Sequence, residues 1–384
     1  MKSTSVSFRP PWYLRSGHVQ TVLSAIRKPK WSLPATIRYE VPLASIGSTY
    51  VYYDAPRPES LTKEQRDAPA VLLLHGLGSS HGGTYMTSVA SQLIARGRKV
   101  LRIDLPGSGP SAGLTWMPAH AGCDDSVAKI LDWATTNLGI TNWQATGFSL
   151  GGNILLRLLA MQDSGIPNLL QSSADSGTPS VPAWKIFSAI AVAPPVDLGA
   201  CCDGMARGLN RAYANHFLRV LVGETKRRSA IWPQWAAIPM NPRPKSIREF
   251  DERFTAPIAG FDSAADYYEK CSSRQLLSRI KTPTLLLCDR HDPIVPARIF
   301  EGIENPALHM QWTRRGGHLG YLQRRIAEDE SSKVPTLHNE HSMAAPKLGM
   351  SPFKPARWER WADRWIVERL MELVPTLART QTCS

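Results

Sequence analysis

Five consecutive apolar residues, Ala70-Val71-Leu72-Leu73-Leu74, lie between a charged loop (61–69, LTKEQRDAP) and a glycine-containing turn, HGLGSS. A run this short and unbroken is a strand buried on both faces, and such strands belong to parallel sheets covered by helices. Similar runs recur in RKVLRIDL from Arg98, WKIFSAIAVAPP from Trp184, PTLLLCDRHDP from Pro283 and ALHMQWTRRGGH from Ala307. Helical patterns separate them. Thr84–Arg96 spaces Met86, Val89, Ala90 and Leu93 on one face and stops at Gly97; Asp124–Leu138 does the same with Val127, Ile130, Leu131 and Ala134. Residues 36–43 and 48–54 read as an antiparallel pair joined across Gly47. WQATGF followed by GGNILLRLLAM supplies a further strand and helix. The pattern predicts a mostly parallel sheet of eight strands covered by helices.

About 90 residues separate the strand ending near Ala193 from the one starting at Pro283, too many for a simple crossover. They carry helical patterns at Gly204–Val222 and Ser263–Arg279, and so read as a cap inserted over the carboxyl ends of the strands. The expected division is a core from 1–198, a helical cap or lid at 199–280, and the rest of the core at 281–384. Toward the end of the sequence, RWERWADRWIVERLMELV places Trp358, Trp361, Trp365 and Leu370 on one face of a helix docked on the body. Residues 164–182, rich in Ser, Gly and Pro, read as a surface loop, and 326–356 as an irregular stretch.

The cysteines, Cys123, Cys201, Cys202, Cys271, Cys288 and Cys383, show neither C-x-x-C pairs nor metal-ligand spacing. That pattern disfavours a disulfide framework or zinc and suits a reducing, cytoplasmic setting. MKSTSVSFRPPWYLRSGHVQ lacks the apolar stretch of a signal peptide, and no apolar run elsewhere is long enough to span a bilayer. The net charge of +13 would suit nucleic acid, an anionic membrane or an acidic substrate. However, Lys and Arg are spread along the chain among Asp and Glu, and no nucleic-acid-binding signature accompanies them. The charge therefore reads as general surface character, with no nucleic-acid partner expected. Weak peripheral membrane contact stays open, given 12 tryptophans.

The segment QATGFSLGGNILLRLL holds Ser149 between a strand and a helix, in the pattern G-x-S-x-G. A sharp strand-to-helix turn needs small residues around the serine, and it lifts the hydroxyl above the sheet edge at the positive end of the helix. The HGLG turn after Ala70–Leu74 is suited to donating a backbone N–H to a developing oxyanion. The amides of Leu77 and Leu150 are the expected donors, and one such donor is worth ~10²–10³ in turnover. Downstream, Asp292 (CDRHDPIVP) and His318 (RRGGHLGY) follow buried strands, in the order Ser…Asp…His of the α/β-hydrolase arrangement. Asp289 is a rival acid, although it should lie at the strand end rather than on the loop beyond. Asp197 reads better as a turn or cap residue, and His291 as a solvent-exposed loop residue. His75 and His81 are expected to make structural hydrogen bonds, and Cys123, Cys201 and Cys202 to serve packing.

Several segments are similar to one known family: FRPPWYLRSGHVQT (8–21), LLLHGLGSSHGGTY (72–85), AGCDD (121–125), GFSLGGN (147–153), FDERFTAPIAGFDSAADYY (250–268), DRHDPIVP (289–296) and GGHLGY (316–321). The chain resembles the α/β-hydrolase superfamily, and within it the YheT-like (AB hydrolase 4) branch of esterases. The resemblance implies an α/β-hydrolase fold and carboxylic-ester hydrolysis, with Ser149, Asp292 and His318 as the charge-relay residues and no cofactor. Where relatives often carry an Asn-x-Arg-Gly turn, this chain has DLPGSG (104–109), which bears on substrate preference. Phe217, Leu218, Val220, Leu221, Trp232 and Trp235 of the expected cap suit an apolar acyl chain, preferably a short or medium one, and suit equally well the ordinary packing of cap helices onto the body. Lipase-like, phospholipase-like or acyltransferase chemistry uses the same residues. A non-catalytic binder of hydrophobic ligands is the rival class, against which the intact Ser, Asp, His and glycines count.

Overall fold

The apolar run at Ala70 is the fourth strand of a nine-stranded sheet in a computed structural model, which describes residues 2–26, 31, 33, 35–165, 182–324 and 358–373. The strands are β1 (Lys2–Ser5), β2 (Thr36–Pro42), β3 (Ser48–Asp54), β4 (Ala70–Leu74), β5 (Val100–Ile103), β6 (Asn142–Phe148), β7 (Lys185–Val192), β8 (Thr284–Asp289) and β9 (Leu308–Thr313). Their spatial order is β1-β9-β8-β7-β6-β4-β5-β3-β2. β3 runs antiparallel to β2 and β5, and every other neighbouring pair is parallel.

Side chains alternate across a strand, and on β4 both faces are apolar. Ala70, Leu72 and Leu74 enter one core with Ile130 and Leu131 of the helix Asp124–Leu138 and Ile154 and Leu158 of the helix Leu150–Ser164. Val71 and Leu73 enter the other, with Met86 and Leu93 of the helix Thr84–Ile94 and Trp365, Ile366 and Leu370 of the helix Trp361–Glu372. Leu72 is wholly buried, so truncating it to alanine would cost about 2–5 kcal/mol.

Nine strands replace the expected eight. The added one is β1, whose Lys-Ser-Thr-Ser sequence has no apolar alternation; its parallel backbone pairing with β9 places it at the sheet edge. Trp358 is not helical. It lies in β11 (Trp358–Arg360), which pairs antiparallel with β10 (Leu322–Arg324) outside the main sheet. The expected loop at 164–182 falls mostly on 166–181, outside the described residues, as do the stretch 326–356 and Cys383.

Between β7 and β8 the chain passes through helices Leu198–Met205, Arg211–Ser229, Pro233–Ala236, Ile247–Phe250 and Ala264–Cys271. The expected helix 204–222 is thus interrupted, with Arg207 extended and Gly208 at positive φ; the one expected over 263–279 stops at Cys271. Leu218, Val222, Trp235, Phe250 and Phe254 form a separate small core within this insertion. Two contacts tie it to the loops after β5. The Arg228 guanidinium donates to the carbonyl of Gly107, and the Trp235 indole N–H donates to the carbonyl of Trp116 at 2.6 Å. No helix among the described residues is long and apolar enough to cross a membrane.

Candidate active site

Ser149 sits between β6 and the helix Leu150–Ser164 with φ 51° and ψ −120°, a conformation that costs a non-glycine residue about 1–3 kcal/mol. The turn is held because Ser149 N–H donates to Val192 on β7 at 2.8 Å, while its carbonyl accepts from Gly152 N–H at 2.8 Å. Only glycine fits beside it. A Cβ at Gly147 would come within 2.3 Å of the Gly151 oxygen, and one at Gly151 within 2.5 Å of the His75 oxygen. One turn into the helix, buried Asn153 donates to the carbonyls of Ala121 and Cys271 and accepts from Ser273 N–H. Arg157, another turn on, pairs with buried Asp124 at 2.7 Å. These contacts give structural roles to Asn153 of GFSLGGN and Asp124 of AGCDD.

Asp292 and His318 lie on the loops after β8 and β9, at the same edge of the sheet as Ser149. His318 Nε2 is 2.9 Å from Ser149 Oγ, and its Nδ1 is 2.8 Å from Asp292 Oδ2. The other carboxylate oxygen accepts from the amides of Ile294 and Val295 at 2.8 and 2.9 Å, which fixes the side chain. With Nδ1–H donating to Asp292, Nε2 presents its lone pair to the serine hydroxyl. His318 is 7% exposed, so this pair is largely shielded from water.

The other candidate residues have hydrogen-bond partners of their own. Asp289 is buried and accepts from Thr313 Oγ1, the Gly316 amide and the His291 amide, which braces the base of the His318 loop. Asp197 caps the helix Leu198–Met205 by accepting from Ala200 N–H, and His291 is exposed. His75 Nε2 accepts from Leu105 N–H at 3.0 Å, so Nδ1–H faces the Gly76 oxygen at 2.8 Å; burial lowers its pKa and keeps the ring neutral. His81 Nδ1 lies 2.9 Å from Asp104 of the DLPGSG loop. Burial pushes the thiols of Cys201 and Cys202 up and that of Cys123 to about 12, which suits packing rather than nucleophilic attack.

Gly76 is the link to the expected oxyanion donors. A Cβ built on it would sit 3.1 Å from Ser149 Cβ, so Leu77 and Leu150 flank the serine from two sides. The Gly76 amide is taken by Tyr85 Oη at 3.0 Å. Among the described residues, no internal acceptor is assigned to the amides of Leu77 and Leu150.

Sequence reasoning missed the element that braces the histidine loop. In the helix Gly17–Ile26, Thr21 Oγ1 accepts the His318 amide at 2.9 Å. The neighbouring Gln20, wholly buried, accepts from Leu322 N–H and donates to the Leu322 carbonyl. A Cβ on Gly17 would come within 2.1 Å of the His291 oxygen, so glycine is what lets this helix reach the Asp292 loop. His18 Nδ1 meets Tyr213 Oη of the insertion at 2.9 Å, with the two rings stacked. The signal lies in SGHVQT, whose small and polar residues carry no apolar periodicity.

The insertion also reaches the serine side. Val220 lies 3.2 Å from where a Cβ on Gly78 would stand. Of the six apolar residues expected to contact an acyl chain, Leu218 and Trp235 are buried in the small core, with Leu221 and Trp232 packed on it. Phe217 packs against the main core, and Val220 is left half-buried over the HGLG turn.

The family profile described as alpha/beta hydrolase fold matches residues 69–322. The protein named 'Putative esterase YheT' of Escherichia coli (strain K12) is 28% identical over 328 residues, 83% of this chain and 88% of that protein. Medium-chain fatty acid ethyl ester synthase/esterase 2 of Saccharomyces cerevisiae is 29% identical over 280 residues, 67% of this chain and 59% of that protein. Phospholipase ABHD3 of Mus musculus is 29% identical over 183 residues, 47% of this chain and 40% of that protein. With a profile match across more than half its length and a mostly parallel sheet carrying a serine turn at its carboxyl edge, the chain belongs to the α/β-hydrolase fold family.

Proposed function

We propose that the protein is a serine carboxylic-ester hydrolase working through an acyl-enzyme. The observation that carries this reading is the unbroken path Ser149 Oγ–His318–Asp292, with 2.9 and 2.8 Å links. His318 Nε2 takes the serine proton as Oγ attacks the ester carbonyl, and the amides of Leu77 and Leu150 receive the oxyanion. Asp292 holds the imidazolium that forms. The protonated His318 then delivers its proton to the departing alkoxide. A water, deprotonated by the same nitrogen, releases the carboxylic acid and restores Ser149. No step calls for a cofactor.

The insertion at 199–280 is read as the lid between the core segments 1–198 and 281–384. Val220 against the HGLG turn and Tyr213 against His18 support this reading. Short- to medium-chain acyl esters are the proposed substrates, in line with the medium-chain wording in the yeast relative's name. An alcohol in place of water in the second step would make the same acyl-enzyme a transferase, as the word synthase in that name suggests.

The test is a chain-length panel of p-nitrophenyl esters with wild type and Ser149→Ala, alongside fluorophosphonate labelling. Turnover should fall ~10⁴-fold or more in the variant, and the label should attach to Ser149 alone. Near wild-type hydrolysis by the variant, or no adduct on wild type, would return the protein to the class of non-catalytic binders.

A further inference from the structure

The helix Gly17–Ile26 is turned inside out. It buries Gly17, Gln20, Thr21 and Ser24, spaced as one helical stripe, and exposes Val22, Leu23 and Ile26. The polar stripe is engaged by the His318 loop, as described above; the apolar one faces solvent. Of the nine large apolar side chains exposed among the described residues, six fall within residues 12–31: Trp12, Tyr13, Val22, Leu23, Ile26 and Trp31. Single exposed apolar residues are ordinary on a protein surface, but a cluster of this kind marks an interaction site.

Charge says what kind of partner fits. The mixing of acidic and basic residues seen along most of the chain does not extend to its first 39 positions. They hold Lys2, Arg9, Arg15, Arg27, Lys28, Lys30 and Arg38, and no Asp or Glu before Glu40; Arg9 and Arg15 flank Trp12 and Tyr13, whereas Arg38 lies on β2 at the far edge of the sheet. Next to the apolar cluster, Arg9, Arg324 and Arg364 line an open pocket of about 510 Å³ together with Pro11, Gln323 and Trp361. Among the described residues Arg9 and Arg324 form no ion pair, whereas Arg364 is shared with Glu359 and Glu368. The pocket adjoins the Trp12–Tyr13 end of this apolar group. Pro11 leads into the turn Trp12–Leu14, and the ring of Tyr13 packs on Trp358, the cross-strand partner of Arg324.

We propose that this face docks the protein on an anionic lipid surface. Trp12, Tyr13, Val22, Leu23 and Ile26 enter the boundary between headgroups and acyl chains, and the arginine pocket takes a lipid phosphate. An apolar helical face and a basic cluster are the two signals that together give stable peripheral binding, and Trp and Tyr favour that boundary. Because Thr21 lies on the opposite stripe of the same helix, docking brings the His318 loop to about one helix diameter, ~10 Å, from the lipid. The inference does not depend on the serine chemistry and fails or stands separately from it.

The experiment is sedimentation of the full chain with phosphatidylcholine vesicles, with and without about one-third phosphatidylglycerol. Wild type should pellet with the anionic vesicles and be released by ~1 M salt, which screens the arginines. A Val22→Ser, Leu23→Ser, Ile26→Ser variant should bind at least ~10-fold more weakly, with unchanged hydrolysis of a soluble ester and an unchanged melting curve. Arg9→Glu with Arg324→Glu should lose the preference for anionic vesicles. Wild type remaining in the supernatant, or a serine variant that binds as wild type does, would overturn the proposal. So would a lipid-free dimer that the serine variant abolishes, because a second copy would then own the face.

Discussion

The backbone N–H of His318 donates to Oγ1 of Thr21 across 2.9 Å and 297 positions of chain. The threonine hydroxyl hydrogen goes to the Gly17 carbonyl at 2.7 Å, leaving its oxygen to accept. Thr21→Val keeps the shape but strands a buried amide, a loss of about 1–3 kcal/mol felt at the loop that holds the imidazole. Displacements of this kind are expensive for catalysis. We expect kcat to drop ~10–100-fold with KM nearly unchanged, and Thr21→Ser to restore it. A valine variant whose steady-state constants match wild type would remove Thr21 from the positioning role.

Asp292 and Asp289 make opposite predictions. Asp292→Asn should cut kcat by ~10⁴ with little change in the melting curve, because the wrong tautomer of His318 is then favoured. Asp289→Asn removes an acceptor from buried donors on Thr313 and Gly316, so urea unfolding should show a loss of about 1–3 kcal/mol with a smaller effect on turnover. The reverse pattern would make Asp289 the acid.

At the elbow, Gly151→Ala should be among the most damaging single-methyl changes in the molecule. Its Cβ would meet backbone oxygens of His75 and Leu74 at 2.5 and 2.6 Å, and backbone cannot swing aside as a side chain can. A stability loss of about 3 kcal/mol or more is expected by thermal melting. A soluble variant with wild-type stability would show that the turn is looser than described.

Buried groups bend the stability curve in both directions below neutral pH, His120 and Asp251 among them. Burial lowers the His120 pKa to about 4, so the unfolded chain binds a proton that the folded one rejects, and stability falls as pH drops from about 6.5 to 4. Burial raises the Asp251 pKa to about 6, so here the folded chain binds the proton first. Its contribution grows over roughly pH 6 to 4, partly offsetting the histidine. Asp251→Asn should therefore give a steeper loss of stability on acidification, measured by urea titrations at several pH values. An unchanged slope would mean that Asp251 titrates normally.

What the sequence made legible was the part governed by short-range pattern. Buried parallel strands are uniformly apolar, the elbow needs its glycines, and the order Ser…Asp…His follows strand order, so Ser149, Asp292 and His318 stand out as candidates from strand context, chain order and family resemblance, and the structure brings them within hydrogen-bond reach of one another. The misses share one cause, which is tertiary context overriding local pattern. β1 has no apolar face because a sheet edge asks mainly for backbone pairing. The helix Gly17–Ile26 carries its structural contacts on Gly17, Gln20 and Thr21, residues that a search for apolar stripes passes over. Trp358 fits a helical face by spacing, but the ladder with Leu322–Arg324 claims it as strand. For Leu218 and Trp235 the sequence leaves ligand contact and packing equally open, and the small core between β7 and β8 takes both for packing.

The wide separation of the residues that meet at the sheet edge has a consequence for synthesis. Ser149 and His318 lie 169 positions apart, and β9, which leads to the histidine loop, follows every other strand of the main sheet in the chain. At about 5–20 residues per second, Ser149 is made roughly 10–30 s before the imidazole of His318. On the proposed mechanism, the serine hydroxyl of a growing polypeptide has no base beside it until the His318 loop is made and the helix Gly17–Ile26 closes on it.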